Sequence, residues 1–237
     1  MTTVAVPDDV ATLCLDADKL HGDHNVHSTF KLLNDSFLAG QQHPEVLFRL
    51  GRALFDLSGE TTDKAEKQSL LERGLSICKV CLDADPNNFA GHKWYGILLG
   101  STGEFLATKI KIANAFIVRD HFKKAVELCP MDATIQHCLG KWCWNVLQIT
   151  WLERQAAALL FATPPTSTYE ECEMYLLASA KLNEDQVHNS LLLGDLYFQQ
   201  KQWDNAKKWF EQAASCPVRT EGQKRQREQA LAKIQKC

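Results

Sequence analysis

An all-α fold of antiparallel helical hairpins follows from three features of this sequence. The first is the stretch from Ser190 to Pro217, where Leu193-Gly194 is followed by Tyr197, Ala206, Phe210, Ala213 and Pro217. Gly194 lets two helices approach closely, and Ala206 is the small residue facing that gap. Tyr197 and Phe210 fill the space between hairpins, and Pro217 stops the second helix. The second feature is the return of the same glycine at Gly51, Gly96 and Gly140, with successive steps of 45, 44 and 54 residues up to Gly194. The third is composition: 45% hydrophobic residues and seven prolines in 237 suit an ordered, helix-rich chain. Together they predict a tetratricopeptide-like right-handed superhelix of antiparallel helical hairpins, several with extended helices, in a single domain. The steps exceed the ordinary repeat of about 34 residues, so the helices must be longer than usual.

Residues 8 to 39 hold two helical patterns, roughly Asp8 to Leu20 and Asn25 to Leu38, broken near Gly22. Asp8 and Asp9 suit a helix start, where carboxylates accept orphan N–H groups and oppose the dipole. Six acidic and two basic residues make this an acidic end, and residues 1–43 are expected to cap the stack. Pro44 opens the first repeat (44–86), where a helix loses nothing by lacking an N–H. Its second helix, about Thr62 to Ala84, carries Gly74, Cys78 and Cys81 at the spacing of Ala206, Phe210 and Ala213. Relative to the last hairpin this pair has an excess of 11 residues, and the second has 10. Three helical turns are about 11 residues, so the buried face keeps its direction.

The second repeat (87–130) has Tyr95-Gly96 and Leu99, then Phe122, Ala125 and Pro130. Ser101-x-x-Glu104 reads as a capping box opening a long helix with Phe105, Ile112, Phe116, Phe122 and Val126 inward. The third (131–183) has Leu139-Gly140 and Cys143, then Tyr175, Ala178 and Asn183. It contains Thr163-Pro164-Pro165-Thr166, a break that cannot be helical, and a second capping box at Thr168-x-x-Glu171. The fourth repeat is 184–217. A C-terminal capping helix follows in 218–237, with Ala230, Leu231 and Ile234 as its apolar side.

A net charge of −3 argues against nonspecific nucleic-acid binding. No run reaches the roughly 18 apolar residues a membrane span needs. The start MTTVAVPDDVATL has neither a secretory nor a mitochondrial pattern, so a soluble cytoplasmic protein is expected. Nine cysteines at no framework spacing fit reduced thiols used as small core residues, Cys78-x-x-Cys81 among them. His21, His24 and His27 are spaced at threes, but Gly22 interrupts them and nothing completes a metal site. Neither a cofactor nor a metal is expected. A glycine-rich phosphate loop, a serine elbow and HExxH are all absent from the sequence. Glu170, Glu171 and Glu173 sit at a helix start where acids belong anyway. The reading is a non-enzymatic scaffold.

The strings HKWYGILLG (92–100), KIKIANAFIVRDHFKKAVELCP (109–130), LGKWCWNVLQITWLERQAAALLFATPPTSTYEE (139–171) and the closing hairpin resemble the regulator of microtubule dynamics family. The resemblance covers roughly residues 44 to 237 and is most specific in 139–171. It implies a tetratricopeptide-like protein that associates with tubulin and microtubules, regulates microtubule dynamics at the spindle and serves chromosome segregation. Some relatives carry an N-terminal membrane segment and act at organelle contacts, where lipid binding is attributed to the fold. This chain shows no such segment, which favours a cytoplasmic, cytoskeletal member, with other spindle proteins as further partners.

In such stacks the first helix of each pair lines a hollow, and residues one turn either side of the glycine face it. The register gives Phe48, Arg52 and Phe55; Lys93 and Ile97; His137, Lys141 and Trp144; and Leu191, Asp195 and Phe198. Arg52, Lys93 and Lys141 then form a basic line suited to an acidic extended peptide such as a tubulin tail. A chaperone-type carboxylate clamp is discounted, because Phe48, Arg49 and Trp94 stand where its lysine and asparagines belong. A second candidate is a basic outer patch of Lys201, Lys207, Lys208, Lys224, Arg225 and Arg227, which suits the acidic microtubule lattice. For each surface the plain alternative is a solvated helical face. Two other functions stay open: lipid binding in a pocket lined by Phe48, Phe55, Trp144 and Trp151, and a generic peptide adaptor.

Overall fold

Residues 6–160 and 165–237 are described by the computed structural model, and among them every regular element is helical. The chain divides into two compact units, Met1–Leu128 and Cys129–Cys237. The first holds α1 (Asp8–Gly22), α2 (Val26–Leu38), α3 (Pro44–Ser58), α4 (Lys64–Ala84), α5 (Phe89–Thr102) and α6 (Thr108–Leu128). The second holds α7 (Ala133–Leu147), α8 (Trp151–Leu160), α9 (Tyr169–Leu182), α10 (Val187–Gln199), α11 (Trp203–Ser215) and α12 (Glu221–Ile234). Hairpins pair α3 with α4, α5 with α6, α7 with α9, and α10 with α11. The third hairpin therefore reaches past α8 to find its partner. Thr163 and Pro164 of the expected break, and the first five residues of the chain, lie outside the described residues; Pro165 and Thr166 are non-helical.

Helix starts are set by short polar side chains that accept the orphan N–H groups of the first turn. Asn25 accepts from the Ser28 N–H, Asp63 from Ala65 and Glu66, Asn88 from Gly91, Asp132 from Ile135 and Thr168 from Glu171. Pro44 occupies the first turn of α3 as expected. A full capping box forms at Thr220 and Gln223. The one expected at Ser101 does not. The Ser101 hydroxyl donates back to the Ile97 carbonyl at 2.8 Å, which keeps it inside α5. Gly103–Phe105 then tightens into a 3-10 turn, and α6 begins only at Thr108. At Thr168 the box is half made, because the Glu171 carboxylate turns to the Ser167 hydroxyl instead.

Each hairpin is held by one repeated device. The second helix presents three residues at i, i+4 and i+7 to the glycine of the first. They are Gly74, Cys78 and Cys81; Val118, Phe122 and Ala125; Cys172, Leu176 and Ser179; and Ala206, Phe210 and Ala213, all buried. A Cβ built on Gly51 comes within 2.3 Å of Cys78 Sγ, one on Gly96 within 2.4 Å of Phe122, one on Gly140 within 2.5 Å of Leu176, and one on Gly194 within 2.3 Å of Phe210. No side chain fits there. The last position is small because it rests on the start of the first helix: Cys81 Sγ lies 3.5 Å from the Pro44 carbonyl and Ser179 Oγ donates to the Ala133 carbonyl at 2.8 Å. In the third hairpin this register is one residue later than Tyr175 and Ala178, which are only half-buried. In α6, Ile112, Phe122 and Ala125 are inward as expected and Val118 joins them, whereas Phe116, Val126 and Phe105 of the preceding 3-10 turn are half-buried.

The buried thiols are packing groups. Burial pushes Cys81 and Cys172 up to about 12, and Cys78 well above its ordinary value. Thiols raised this far by burial stay protonated at neutral pH, as suits side chains that fill the hairpin core.

The terminal helices use charge as well as apolar contact. In the first unit Val10, Cys14 and Ala17 of α1 are buried in the core that includes Leu47, Leu50 and Leu54. In the second unit Ala230 of α12 is buried, whereas Leu231, expected on the same apolar side, is 51% exposed.

Candidate functional site

The expected hollow was defined by residues one turn either side of each repeat glycine, and their surroundings differ sharply. In the first unit Phe48 is buried beneath the Arg49 guanidinium, 4.6 Å from its ring centroid. Arg52 donates to Asp18 of α1 at 2.7 Å, and Arg49 donates to the same carboxylate and to Glu45. Burial pushes Asp18 up, but the hydrogen bonds from Arg49 and Arg52 outweigh it and hold the carboxyl below its usual value. The Arg52 side chain is 14% exposed and its Nε is buried without a hydrogen-bond partner. It is an internal cation, already neutralised. Phe55 packs against Trp94 with ring centroids 5.7 Å apart, and Lys93 Nζ sits 5.2 Å from the Phe89 ring centroid. Lys93 and Ile97 are half-buried.

In the second unit His137 is a core residue rather than a lining one. It is 7% exposed, its Nδ1–H donates to Asn189 Oδ1 at 2.9 Å, and Asn189 in turn donates to the Leu176 carbonyl. Burial, aided by His188 edge-on at 4.3 Å, pushes His137 down to about 3; burial also takes His188 to about 4. Leu191 is buried too. Asp195 is occupied by Lys233 of α12 at 2.5 Å, and Phe198 packs edge-on against Trp203 at 5.0 Å. Trp144 is half-buried and Lys141 is exposed. Thus Arg52 and Asp195, both one residue after a repeat glycine, are each satisfied by a terminal helix. The sequence reading missed this pairing. Its signal was Asp18, half-buried and next to Ala17 on the helix that buries Val10, Cys14 and Ala17.

The basic outer patch has a different character. Lys201, Lys207, Lys208, Lys224 and Arg225 are exposed, and Arg227 is half-buried. Lys224 meets Glu221 only at 3.9 Å, and Arg225 Nε donates to the Glu221 carbonyl at 3.4 Å. Lys201 adopts a left-handed φ of 60° in the turn between α10 and α11. Lys201, Lys207, Lys208 and Arg227 have no ion-pair partner among the described residues.

Of the expected apolar pocket, Phe48 and Phe55 belong to the first unit, and Trp144 and Trp151 to the second. Phe48 fills core and Trp151 is 72% exposed. His21 faces Asp56 at 3.2 Å and His27 faces Glu60 at 3.0 Å, while His24 makes a left-handed turn. Among the described residues no helix is long and apolar enough to cross a membrane.

Comparison with known proteins gives this geometry its family. A model described as Regulator of microtubule dynamics protein 1-3 matches residues 13–237. The chain belongs to the regulator of microtubule dynamics family. Regulator of microtubule dynamics protein 1 from Bos taurus is 38% identical over 88% of this chain and 66% of its own length. The Mus musculus protein 1 is 34% identical over 91% of this chain and 70% of its own. Protein 3 from Xenopus laevis is 32% identical over 76% of this chain and 40% of its own. The chain thus spans between 40% and 70% of the length of these relatives. Among solved structures, a thermophilic TPR protein from Thermus thermophilus has a TM-score of 0.67 at 14% identity, covering 94% of this chain and 99% of that one. YrrB, another TPR protein, has a TM-score of 0.51 at 11% identity, covering 94% and 90%. The fold of this family member is all-α and tetratricopeptide-like.

Proposed function

We propose that this chain is a non-enzymatic helical scaffold that regulates microtubule dynamics, and that it meets the acidic surface of tubulin through the outer face of α11 and α12. Its membership of the family supports the role. The observation that supports the surface is the contrast between two sets of cations. Arg52 is enclosed and neutralised by Asp18, whereas Lys201, Lys207 and Lys208 are exposed and without a carboxylate partner among the described residues. A cation already paired has little attraction left to give, while several unpaired ones on one face add their fields. Action at the spindle, in the cytoplasm and together with other spindle proteins belongs to the same proposal.

Co-sedimentation with microtubules, intact and stripped of their acidic tails by protease, tests it. Binding should fall on stripping and fall again as salt rises, because exposed charges are screened over about 8–10 Å at physiological ionic strength. Binding that ignores both changes would rule out the electrostatic contact. Lipid binding is a second reading, and the observation favouring it is α8, where Trp151, Leu152 and Leu159 are 72%, 71% and 88% exposed. Flotation with phosphatidylcholine–phosphatidylserine vesicles, before and after Trp151→Ala with Leu159→Ala, decides it. A chain that stays at the bottom of the gradient ends that reading.

A further inference from the structure

We propose that the cleft between α9 and α11 docks an extended acidic protein segment that carries one apolar anchor residue. This goes beyond the charge contact proposed above, because the cleft adds a floor that selects a side chain. Its volume is about 420 Å³, and it is a shallow cleft open to solvent, as an extended segment laid across the surface requires. The floor is apolar: the half-buried indole of Trp209, the side of Ala180, and Leu177, which is 37% exposed to water. Indole faces are favoured anchors because they bury a large area at low entropic cost.

The rim is charged and mostly of one sign. Lys181 of α9 and Lys208 of α11 line it, and neither has an ion-pair partner among the described residues. Lys208 Nζ is held 5.9 Å from the centroid of Trp209, over the floor rather than away from it. An apolar side chain seated on the indole therefore has its flanking carboxylates close to two ammonium groups, one from each wall. Gln212 adds a backbone handle: its Nε2 donates to the Glu184 carbonyl at 3.3 Å, which leaves Oε1 to accept a peptide N–H. Among the described residues that line the cleft, Glu184 is the only acid. It opposes an acidic guest, which gives the proposal a signature of opposite sign.

The test is fluorescence anisotropy with the full 237-residue chain and a labelled Glu-Glu-Phe-Glu-Glu peptide, beside its Glu-Glu-Ser-Glu-Glu counterpart. The phenylalanine peptide should bind at least about fivefold tighter than the serine one, and Trp209→Ala should erase that difference. Leu177→Lys, which roughens the floor without touching the indole, should do the same if Trp209→Ala lowers the melting temperature. Lys181→Glu should weaken the phenylalanine peptide severalfold, and Glu184→Gln should tighten it by roughly twofold. Lys201→Glu should leave it unchanged, so loss of microtubule binding in that variant bears on the outer-face contact alone. Equal binding of both peptides, no binding of either, or indifference to both floor variants would overturn the proposal.

Discussion

The two units share one hairpin device but differ in how many of their cations are paired. The first has 14 basic and 17 acidic residues, and there Lys31, Arg49, Arg52, Lys67, Lys79 and Lys124 each meet a carboxylate. The second has 12 of each sign, yet Lys181, Lys201, Lys207, Lys208 and Arg227 meet none among the described residues. Formal charge, −3 in the first unit and zero in the second, already leans toward the second, and the pairing adds to that difference. Where cations are paired they close the fold; where they are unpaired they remain available to a partner.

If the hairpin device is common to both units, its failure should differ only with what faces the glycine. Gly194→Val drives a side chain into the fully buried Phe210 ring, which has nowhere to go, and should cost roughly 3–4 kcal/mol in urea unfolding. Gly51→Ala meets only the Cys78 thiol, so Cys78→Ala in the same chain should restore most of the loss. A pair of variants that behaved alike would break the account of the hairpin contact.

Acid should separate the units next. His137 and His188 lie in the second unit with pKa values lowered to about 3 and about 4, against a value near 6.5 when unfolded. The unfolded state then binds more protons as pH falls. Stability is complete above about pH 6.5 and is lost progressively as pH falls, down to about 4 for His188 and about 3 for His137. The two together should remove roughly 4 kcal/mol between pH 7 and 5, by thermal melts, and a His137→Phe/His188→Phe chain should show a flatter profile. In the first unit His121 is pushed to about 4 by burial and then by His92, whose Nδ1 lies 2.9 Å from its own. It adds to the slope in the same direction.

The end helices give a smaller contrast. Asp18→Ala leaves Arg49 and Arg52, only 13% and 14% exposed, without their shared carboxylate and should cost about 2 kcal/mol. Lys233→Ala removes a pair that is 33% and 27% exposed and should cost less than about 1 kcal/mol. Lys31→Ala, at an exposed i,i+4 pair with Asp35, should change urea unfolding by under about 0.5 kcal/mol.

The sequence was most readable where one side chain has one reason to be where it is. The four repeat glycines, Pro44, Asn25 and the buried stripes of α4 and α11 all obey fixed offsets, so counting finds them. Counting failed after interruptions. The insertion carrying α8 shifts the third hairpin by one residue, from Tyr175 to Leu176, and the 3-10 turn at Gly103–Phe105 resets the start of α6. The hollow was misread for another reason. Register tells which way Arg52, His137 and Leu191 point, but not that Asp18 or the side chains around Asn189 already fill that space. Such contacts join residues 34 and 52 positions apart, beyond the reach of any local pattern. The exposure of Lys201, Lys207, Lys208, Lys224 and Arg225 was legible because charged side chains are seldom buried unless paired.

The central claim is that unpaired cations of the second unit, and not the paired or scattered ones of the first, carry the microtubule contact. Co-sedimentation of two charge-matched variants tests it most directly: Lys201→Glu, Lys207→Glu and Lys208→Glu together, against the exposed first-unit set Lys109→Glu, Lys111→Glu and Lys123→Glu. The second-unit variant should bind at least about tenfold more weakly, with the first-unit variant within about twofold of the parent. Equal losses in the two variants, or a greater loss in the first-unit one, would contradict it.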